Sequence, residues 1–387
     1  MNSSFGGNPG AHAVIRLSRS VVGREEQLAL ARVIEEGYLG MGRFTREFEA
    51  QIAAYLGGSR QVVCVSTGTA ALQLALQALG VGRDDEVIVP SLTFVASFQA
   101  ISACGARPVA CDVDPETAFM DVADAERRLT ARTRVLMPVH YASAAPRLDE
   151  VYRCAHAHGL RVVEDAAHAF ACHRDGVPVG SVGDVVCFSF DGIKNITSGE
   201  GGAIVTADER IAECARDARL LGVEKDTAKR YSGDRSWDFE VHEQGWRYHM
   251  SNLMAAIGSV QLTRLPAFAT RRSELRDRYC AALAPVAGLR LLHVPREGIV
   301  PHIFPLRVLY GRRDSLMAHL RASSIECGVH YKPNHLLARF RSSYALPGAE
   351  QLGQELLTLP LHAALTEEEQ RTVIRATCDF LARGSRA

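Results

Sequence analysis

The sequence lacks the features that mark membrane, secreted and zinc-binding proteins. No apolar run approaches the roughly 18 residues of a membrane-spanning helix, and residues 1–13 are polar, without the apolar core of a secretory signal. The 10 cysteines are scattered, with no CxxC pair and no Cys/His spacing typical of a zinc site. We therefore expect a cytoplasmic protein with reduced cysteines, no membrane association and no metal.

Charge of one sign is not in excess either. The 44 Lys and Arg residues balance the 44 Asp and Glu residues, so no overall basic field attracts nucleic acid or anionic lipid. An anionic ligand must be bound by local groups. With 387 residues and 47% hydrophobic content, the chain can form one large domain and a smaller one.

Apolar strand patterns alternate with helical patterns, which predicts a mainly parallel sheet flanked by helices. Two amphipathic helices come first, and the predicted strands then lie at residues 61–65, 87–90, 107–113, 135–140 and 159–165. An Ala-rich helix ends at residue 262 and a charged helix follows over 264–283. We therefore divide the chain into a large domain, residues 1–262, and a small C-terminal α/β domain, residues 263–387. The polar residues 222–245 are predicted to form a mobile or partner-facing loop.

Two β-rich apolar runs within residues 185–206 flank one lysine, Lys194, and a glycine-rich turn. Partial desolvation disfavours the ammonium form, so the Lys194 amine becomes available to attack a carbonyl or an aldehyde. The alternative is a solvated lysine in a loop between two hairpin strands.

Further polar and aromatic residues follow predicted strands, where ligands bind in open α/β sheets. The turn containing Gly68 and Thr69 opens a helix, so it is either a phosphate site or an ordinary helix cap. Asp165 ends a strand and His168 is close to it, although a cap and a core histidine are the alternatives. Phe94 follows another strand. A phosphate cradle, a carboxylate, a flat side chain and a lysine are the four groups that pyridoxal 5'-phosphate (PLP) requires.

In these motifs the sequence resembles the DegT/DnrJ/EryC1/StrS family of PLP-dependent nucleotide-sugar aminotransferases. The resemblance extends over residues 37–333, and the segments that carry it are 66–72, 90–94, 138–142, 164–169, 188–202 and 250–258. It implies the fold type I architecture, in which a large domain has a mainly parallel seven-stranded sheet flanked by helices and a small α/β domain follows.

The resemblance also implies roles for individual residues. Lys194 would hold the cofactor as a Schiff base and then move protons between substrate and cofactor carbons. Asp165 would pair with the pyridine nitrogen, and His168 would lie near the ring hydroxyl. Phe94 would stack on the ring. The residues expected to hold the phosphate are Gly68, Thr69 and Ser189.

A second subunit usually completes the phosphate site in this family, which implies a homodimer with shared active sites. The chain departs from the family there, because Arg247 stands in the usual Asn place and His249 in the usual Arg place. Arg247 could supply a charge-assisted phosphate contact, or it could be an ordinary surface arginine. The residues expected on the substrate side are Tyr38, His330, Tyr331 and His335.

The segment around the lysine distinguishes subclasses of the family. Residues 194–202, Lys-Asn-Ile-Thr-Ser-Gly-Glu-Gly-Gly, resemble members that act at the sugar C-4 atom rather than at C-3. The resemblance implies transfer of an amino group, from L-glutamate, to the C-4 ketone of a nucleotide-linked 4-keto-6-deoxyhexose, as in lipopolysaccharide O-antigen synthesis. Asp191 replaces a histidine or aromatic residue often found there, which leaves the sugar contacts open.

Four alternatives remain at this point. One is amination at C-3. Another is a dehydratase that uses pyridoxamine 5'-phosphate (PMP), but such relatives carry histidine in place of Lys194. The third is a fold type I enzyme for amino acids, which needs a carboxylate-binding arginine; Arg307 and Arg312 are available without a persuasive motif. The last is a non-catalytic relative that binds a sugar nucleotide.

Overall fold

The computed structural model describes residues 14–226 and 239–383. Residues 1–13 and part of the predicted loop, 227–238, lie outside the described residues. Before the first strand come the helices α1 (Arg24–Glu35) and α2 (Arg43–Tyr55), which both pack on the later helix α8 (Asn252–Leu283). In the part of the chain that the structure describes, no helix is long and apolar enough to cross a bilayer.

A seven-stranded sheet forms the centre of the protein. Its strands, in spatial order, are β1 (Gln61–Val65), β9 (Gly202–Thr206), β8 (Val185–Ser189), β5 (Arg161–Asp165), β4 (Thr133–Leu136), β2 (Glu86–Pro90) and β3 (Arg107–Cys111). Among the described strands of this sheet, only β9 runs antiparallel to its neighbours, β1 and β8. The predicted mainly parallel seven-stranded sheet is therefore confirmed. A short hairpin, β6 (His173–Arg174) and β7 (Val177–Pro178), follows β5.

Helices cover this sheet, and this covering explains why its strands read as continuous apolar runs. Strands β2, β8 and β9 are buried at every position, because both of their faces are packed rather than one face being solvated. The helices of this part are α3 (Gly68–Ala78), α4 (Val95–Ala103), α5 (Val122–Arg127), α6 (Leu148–Ala157) and α7 (Glu209–Ala218). Strands β3 and β4 end two and four residues earlier than predicted.

The predicted break near residue 263 does not interrupt the helix. Helix α8 is one continuous helix of 32 residues, with Pro266 inside it, where we expected two helices. The proposed division into residues 1–262 and 263–387 therefore stays a prediction, and α8 runs through it.

The C-terminal part has its own antiparallel sheet and its own apolar core. Strand β11 (Phe304–Val308) lies between β10 (Leu289–Leu291) and β12 (Leu356–Leu359). Leu306, Leu316 and Leu357 are fully buried in this core, which the C-terminal half of α8 also joins. The remaining helices are α9 (Arg313–Ala322), α10 (Pro347–Glu355) and α11 (Glu367–Arg383).

Candidate functional site

A cavity of about 320 Å³ opens at the carboxyl ends of the parallel strands. This is the edge of an open α/β sheet at which ligands bind, because the connections there leave a crevice. The cavity brings together eight of the predicted site residues: Gly68, Thr69, Phe94, Asp165, His168, Ser189, Lys194 and Tyr331. Thr93, Asp191 and Glu200 also line it.

A larger cavity, of about 870 Å³, lies elsewhere, at the amino ends of β2 and β3. Its most buried charged group, Glu86, is already paired with Arg107 and Arg132. Its lining, so far as the structure describes it, includes no lysine and none of the predicted site residues. The residue types therefore favour the smaller cavity as the functional site, although the other cavity is larger.

Lys194 lies between β8 and β9 with its amine enclosed in the cavity wall. The Lys194 Nζ atom is 3.4 Å from Nε2 of His302. Burial lowers the pKa of Lys194, and the nearby carboxylates of Asp191 and Asp165 oppose that shift only in part. A lowered pKa increases the fraction of free amine, which is the form that attacks an aldehyde. The alternative of a solvated loop lysine is not what the structure contains.

Asp165 ends β5 and presents a fixed carboxylate to the cavity. Its Oδ2 atom accepts a hydrogen bond from Ser97 Oγ at 2.7 Å, and its Oδ1 accepts one from the Ala167 backbone N–H at 3.2 Å. Residues 166–172, which follow Asp165 directly, form turns and not a helix, so the alternative of a helix cap does not apply. A carboxylate oriented in this way can pair with a protonated ring nitrogen.

The start of α3 forms a cradle suited to a phosphate. The Thr67 side chain caps the helix by accepting the Ala70 N–H, so Gly68 and Thr69 do not serve as the cap. The positive end of α3 and the Ser189 hydroxyl at the end of β8 face the same space, an arrangement that binds anions. A Cβ atom on Gly68 would lie 2.8 Å from the Ser189 Cβ. Glycine is therefore required for this close approach, and the cradle fits the cofactor phosphate.

Two rings and a buried histidine surround the remaining space. Phe94 is 56% exposed at the mouth of the cavity, with its ring 5.5 Å from that of Tyr331. His168 Nε2 lies 3.0 Å from the Tyr331 hydroxyl, and among the described residues its buried Nδ1 has no hydrogen-bond partner. Burial, with smaller contributions from Lys194 and His330, holds the pKa of His168 well below its usual value, so the ring is neutral. The exposed ring of Phe94 can pack on a face of a pyridine ring, and the polar side chain of His168 can contact its edge.

The other predicted residues do not line the cavity of this single chain. His330 lies near it, with Nδ1 2.9 Å from Thr358 Oγ1, and burial together with the Lys194 charge lowers the pKa of His330 to about 4. His335 is buried against Ser91 and Glu350. Tyr38 is 41% exposed, and Arg247 is exposed.

Sequence reasoning also missed Ser97 and His302, which contact Asp165 and Lys194 from outside the cavity lining. Ser97 lies in the first turn of α4, three residues after Phe94. This spacing of about one helical turn was the sequence signal that could have placed Ser97 near the site. His302 lies in an irregular segment before β11, and no motif marks it.

The arginines considered for an amino-acid enzyme are used elsewhere. Arg307 is buried and pairs with Glu116 and Glu355. Arg312 donates to the backbone carbonyls of Phe380 and Leu381 at the end of α11. Neither arginine lines the cavity, so neither can bind a substrate carboxylate there.

A mainly parallel sheet with a lysine, an ordered carboxylate and a phosphate cradle at its carboxyl edge defines a fold type I PLP-dependent transferase. The comparisons with known proteins agree. The chain belongs to the DegT/DnrJ/EryC1/StrS aminotransferase family, whose sequence profile matches residues 21–377. It is thus an aminotransferase, and relatives have been solved in PLP and PMP forms. The predictions of family, fold, enzyme class and cofactor are confirmed.

Three relatives illustrate the similarity. A dTDP-4-dehydro-2,3,6-trideoxy-D-glucose 4-aminotransferase from Saccharopolyspora spinosa is 36% identical over 367 residues, 93% of this chain and 95% of that one. The aminotransferase TlmJ from Streptoalloteichus hindustanus is 36% identical, with a TM-score of 0.89 over 96% of this chain and 100% of its own. DesV from S. venezuelae, solved with a ketimine intermediate, is 35% identical, with a TM-score of 0.84 over 92% and 94%.

Proposed function

We propose that this aminotransferase moves an amino group from L-glutamate to the C-4 ketone of a nucleotide-linked 4-keto-6-deoxyhexose. The product is the corresponding 4-amino-4,6-dideoxy sugar nucleotide. The cavity that joins Lys194, Asp165 and the Gly68 cradle carries the aminotransferase chemistry. Residues 194–202 and the C-4 activity in the name of the Saccharopolyspora relative support the position of amination. That name also makes a dTDP sugar the first substrate to test.

The residues of the chain divide the work between holding the cofactor and moving protons. When bound, PLP supplies an aldehyde and an electron-withdrawing ring. The Ser97 hydroxyl and the Ala167 N–H orient the Asp165 carboxylate toward the ring nitrogen. Lys194, with its lowered pKa, takes and returns a proton at its Nζ atom. Because donor and ketone use the same cavity in turn, ping-pong kinetics follow.

We further propose a cytoplasmic homodimer in which each phosphate cradle is completed by the partner's Arg247. Among the described residues that line the cavity there is no arginine, whereas a bound phosphate favours a guanidinium. Arg247 is exposed on its own chain, so its side chain does not pack in the core of that chain. The amino sugar would be used in glycan synthesis, such as that of an O-antigen.

The first experiment measures absorption and amino transfer together. Purified protein should have a cofactor band that L-glutamate removes, and the glutamate-treated enzyme should aminate a 4-keto-6-deoxyhexose linked to dTDP, GDP or UDP. Lys194→Ala should abolish both results, whereas Lys225→Ala, at an exposed lysine, should leave both unchanged. Amination of the corresponding 3-keto sugar nucleotide, without amination of any 4-keto sugar, would overturn the C-4 assignment. A cofactor band with no amination of any keto sugar would favour a non-catalytic relative.

A further inference from the structure

His302 is a buried histidine whose backbone is fixed from two sides beside Lys194. Its N–H donates to Ser143 Oγ at 3.0 Å, and its carbonyl accepts from Arg272 Nη1 at 3.1 Å. The residue is 4% exposed. Its ring therefore has little freedom to move, and Nε2 lies 3.4 Å from the Lys194 amine.

The surroundings of the ring make it a neutral hydrogen-bond acceptor. The titratable and charged groups that face it are Lys194, His168, Arg272 and His330. His168 lies closest in ring contact, with the two ring centroids 4.4 Å apart. Burial and these positive neighbours hold the pKa of His302 well below its usual value. A neutral imidazole has one ring nitrogen with a lone pair, and Nε2 is the nitrogen directed at Lys194.

Packing alone does not account for a histidine at this position. In the described part of the chain, the buried Nδ1 atom of His302 has no hydrogen-bond partner. An unpaired buried polar atom destabilises the fold, and a phenylalanine or leucine would fill the same volume without that penalty. This loss of stability is explained if the other ring nitrogen, Nε2, has a functional contact with Lys194.

We propose that His302 is a positioning residue that accepts a hydrogen bond from the Lys194 amine. The bond keeps the amine directed into the cavity whenever lysine is not joined to the cofactor. The inference rests on the cofactor site of the proposed function and is independent of which sugar is aminated. It assigns the ring proton of His302 to Nδ1.

The test compares two cofactor forms on the apoenzyme. PLP must react with Lys194, whereas PMP has no aldehyde and depends only on the cradle, Asp165 and the ring contacts. In His302→Phe we expect covalent capture of PLP to be about 5- to 10-fold slower, which is the effect of one lost hydrogen bond. Absorbance and borohydride trapping on Lys194 would measure the rate. PMP affinity should stay within about twofold of wild type. His302→Gln, whose amide oxygen can accept the bond, should recover most of the rate.

A second buried histidine provides the matched control. His362 is also 4% exposed, and its Nδ1 has no hydrogen-bond partner within the described ranges, but the hydrogen-bond contact of Lys194 is to His302 and not to His362, so His362→Phe should capture PLP at the wild-type rate. Unchanged capture in His302→Phe would overturn the inference. So would equal losses of PLP and PMP binding, which indicate a purely structural role, or a failure of glutamine to restore the rate. Wild-type protein that captures PLP yet aminates no keto sugar would instead count against the proposed function alone.

Discussion

At the scale of single residues, the Asp165 carboxylate is the group on which the electronic role of the cofactor depends. Asparagine keeps the size of the side chain but removes the negative charge that stabilises a protonated ring nitrogen. We expect Asp165→Asn to lower kcat by about 100-fold or more, within the usual range for a lost acid–base partner. Steady-state kinetics with L-glutamate and a keto sugar would measure this, with cofactor content determined separately.

The Ser97→Ala variant serves as the graded comparison. Ser97 donates to Asp165 Oδ2 at 2.7 Å, so its removal leaves the charge in place but loosens its orientation. The loss of kcat should therefore be smaller, on the order of 10-fold, because one hydrogen bond to a charged group is removed. An Asp165→Asn enzyme as active as Ser97→Ala would contradict the role assigned to the carboxylate.

The predicted site residues that line the cavity are those carried by a motif close to a strand. Asp165 ends β5 and Lys194 lies in the connection between β8 and β9, and their chemistry is recognisable from the residue type. Ser97 and His302 act on these two groups through single hydrogen-bond contacts. Such contacts depend on how α4 and the segment before β11 pack, which no local pattern specifies.

At the scale of elements, the turn from β1 into α3 is the most sensitive part of the site. A Cβ atom at Gly68 would come within 2.8 Å of the Ser189 Cβ, so Gly68→Ala must push α3 away from β8. We expect the dissociation constant for PMP to rise at least about 10-fold, with a loss of stability of about 1–3 kcal/mol from overpacking. Titration of the apoenzyme with PMP would measure the dissociation constant, and urea unfolding would measure the stability.

Gly82→Ala is the control for that substitution. Gly82 has no positive φ among the described backbone angles, and a Cβ atom there would meet nothing within 4 Å. Its PMP affinity should equal that of wild type. Equal affinities in Gly68→Ala and Gly82→Ala would show that the α3 turn does not hold the phosphate.

Helix α8 illustrates where local patterns fail at this scale. The central strands were located to within a few residues, because buried strands between helices have an unmistakable apolar composition. The change of composition near residue 263, by contrast, predicted two helices where one exists. The reason is tertiary packing: α1 and α2 cover the first half of α8, whereas Leu275, Tyr279 and Leu283 enter the C-terminal core, so the two halves differ in composition without a break.

At the scale of the whole molecule, three histidines of the site make stability depend on pH. His168 and His302 have pKa values well below the usual range, and that of His330 is about 4, because burial disfavours their charged forms. Below about pH 6.5 the unfolded chain therefore binds protons that the folded chain does not. The contribution of these histidines to the free energy of unfolding is complete above that pH and is lost as the pH decreases. For His330 the loss continues down to about pH 4.

Urea unfolding of the apoenzyme between pH 7 and pH 5 tests this dependence. One such histidine contributes a slope of up to about 1.4 kcal/mol per pH unit, and over this range most carboxylates remain ionised in both states. His330→Gln, which cannot titrate, should reduce the slope of the curve by the contribution of that one histidine. A free energy of unfolding that is constant from pH 7 to pH 5 would contradict the buried neutral state.

The proposed shared active site is testable because the two defects can be placed on different subunits. Lys194→Ala removes the lysine from its own site, and under the proposal Arg247→Ala removes the phosphate contact from the neighbouring one. In a randomly mixed population of the two variants, half of the dimers are mixed, and each mixed dimer has one intact site. Activity should therefore recover to about a quarter of the wild-type value, above the mean of the two variants assayed alone. If each site is complete within one chain, mixing gives only that mean. An Arg247→Ala enzyme with full activity and PMP affinity would show that this arginine is a surface residue.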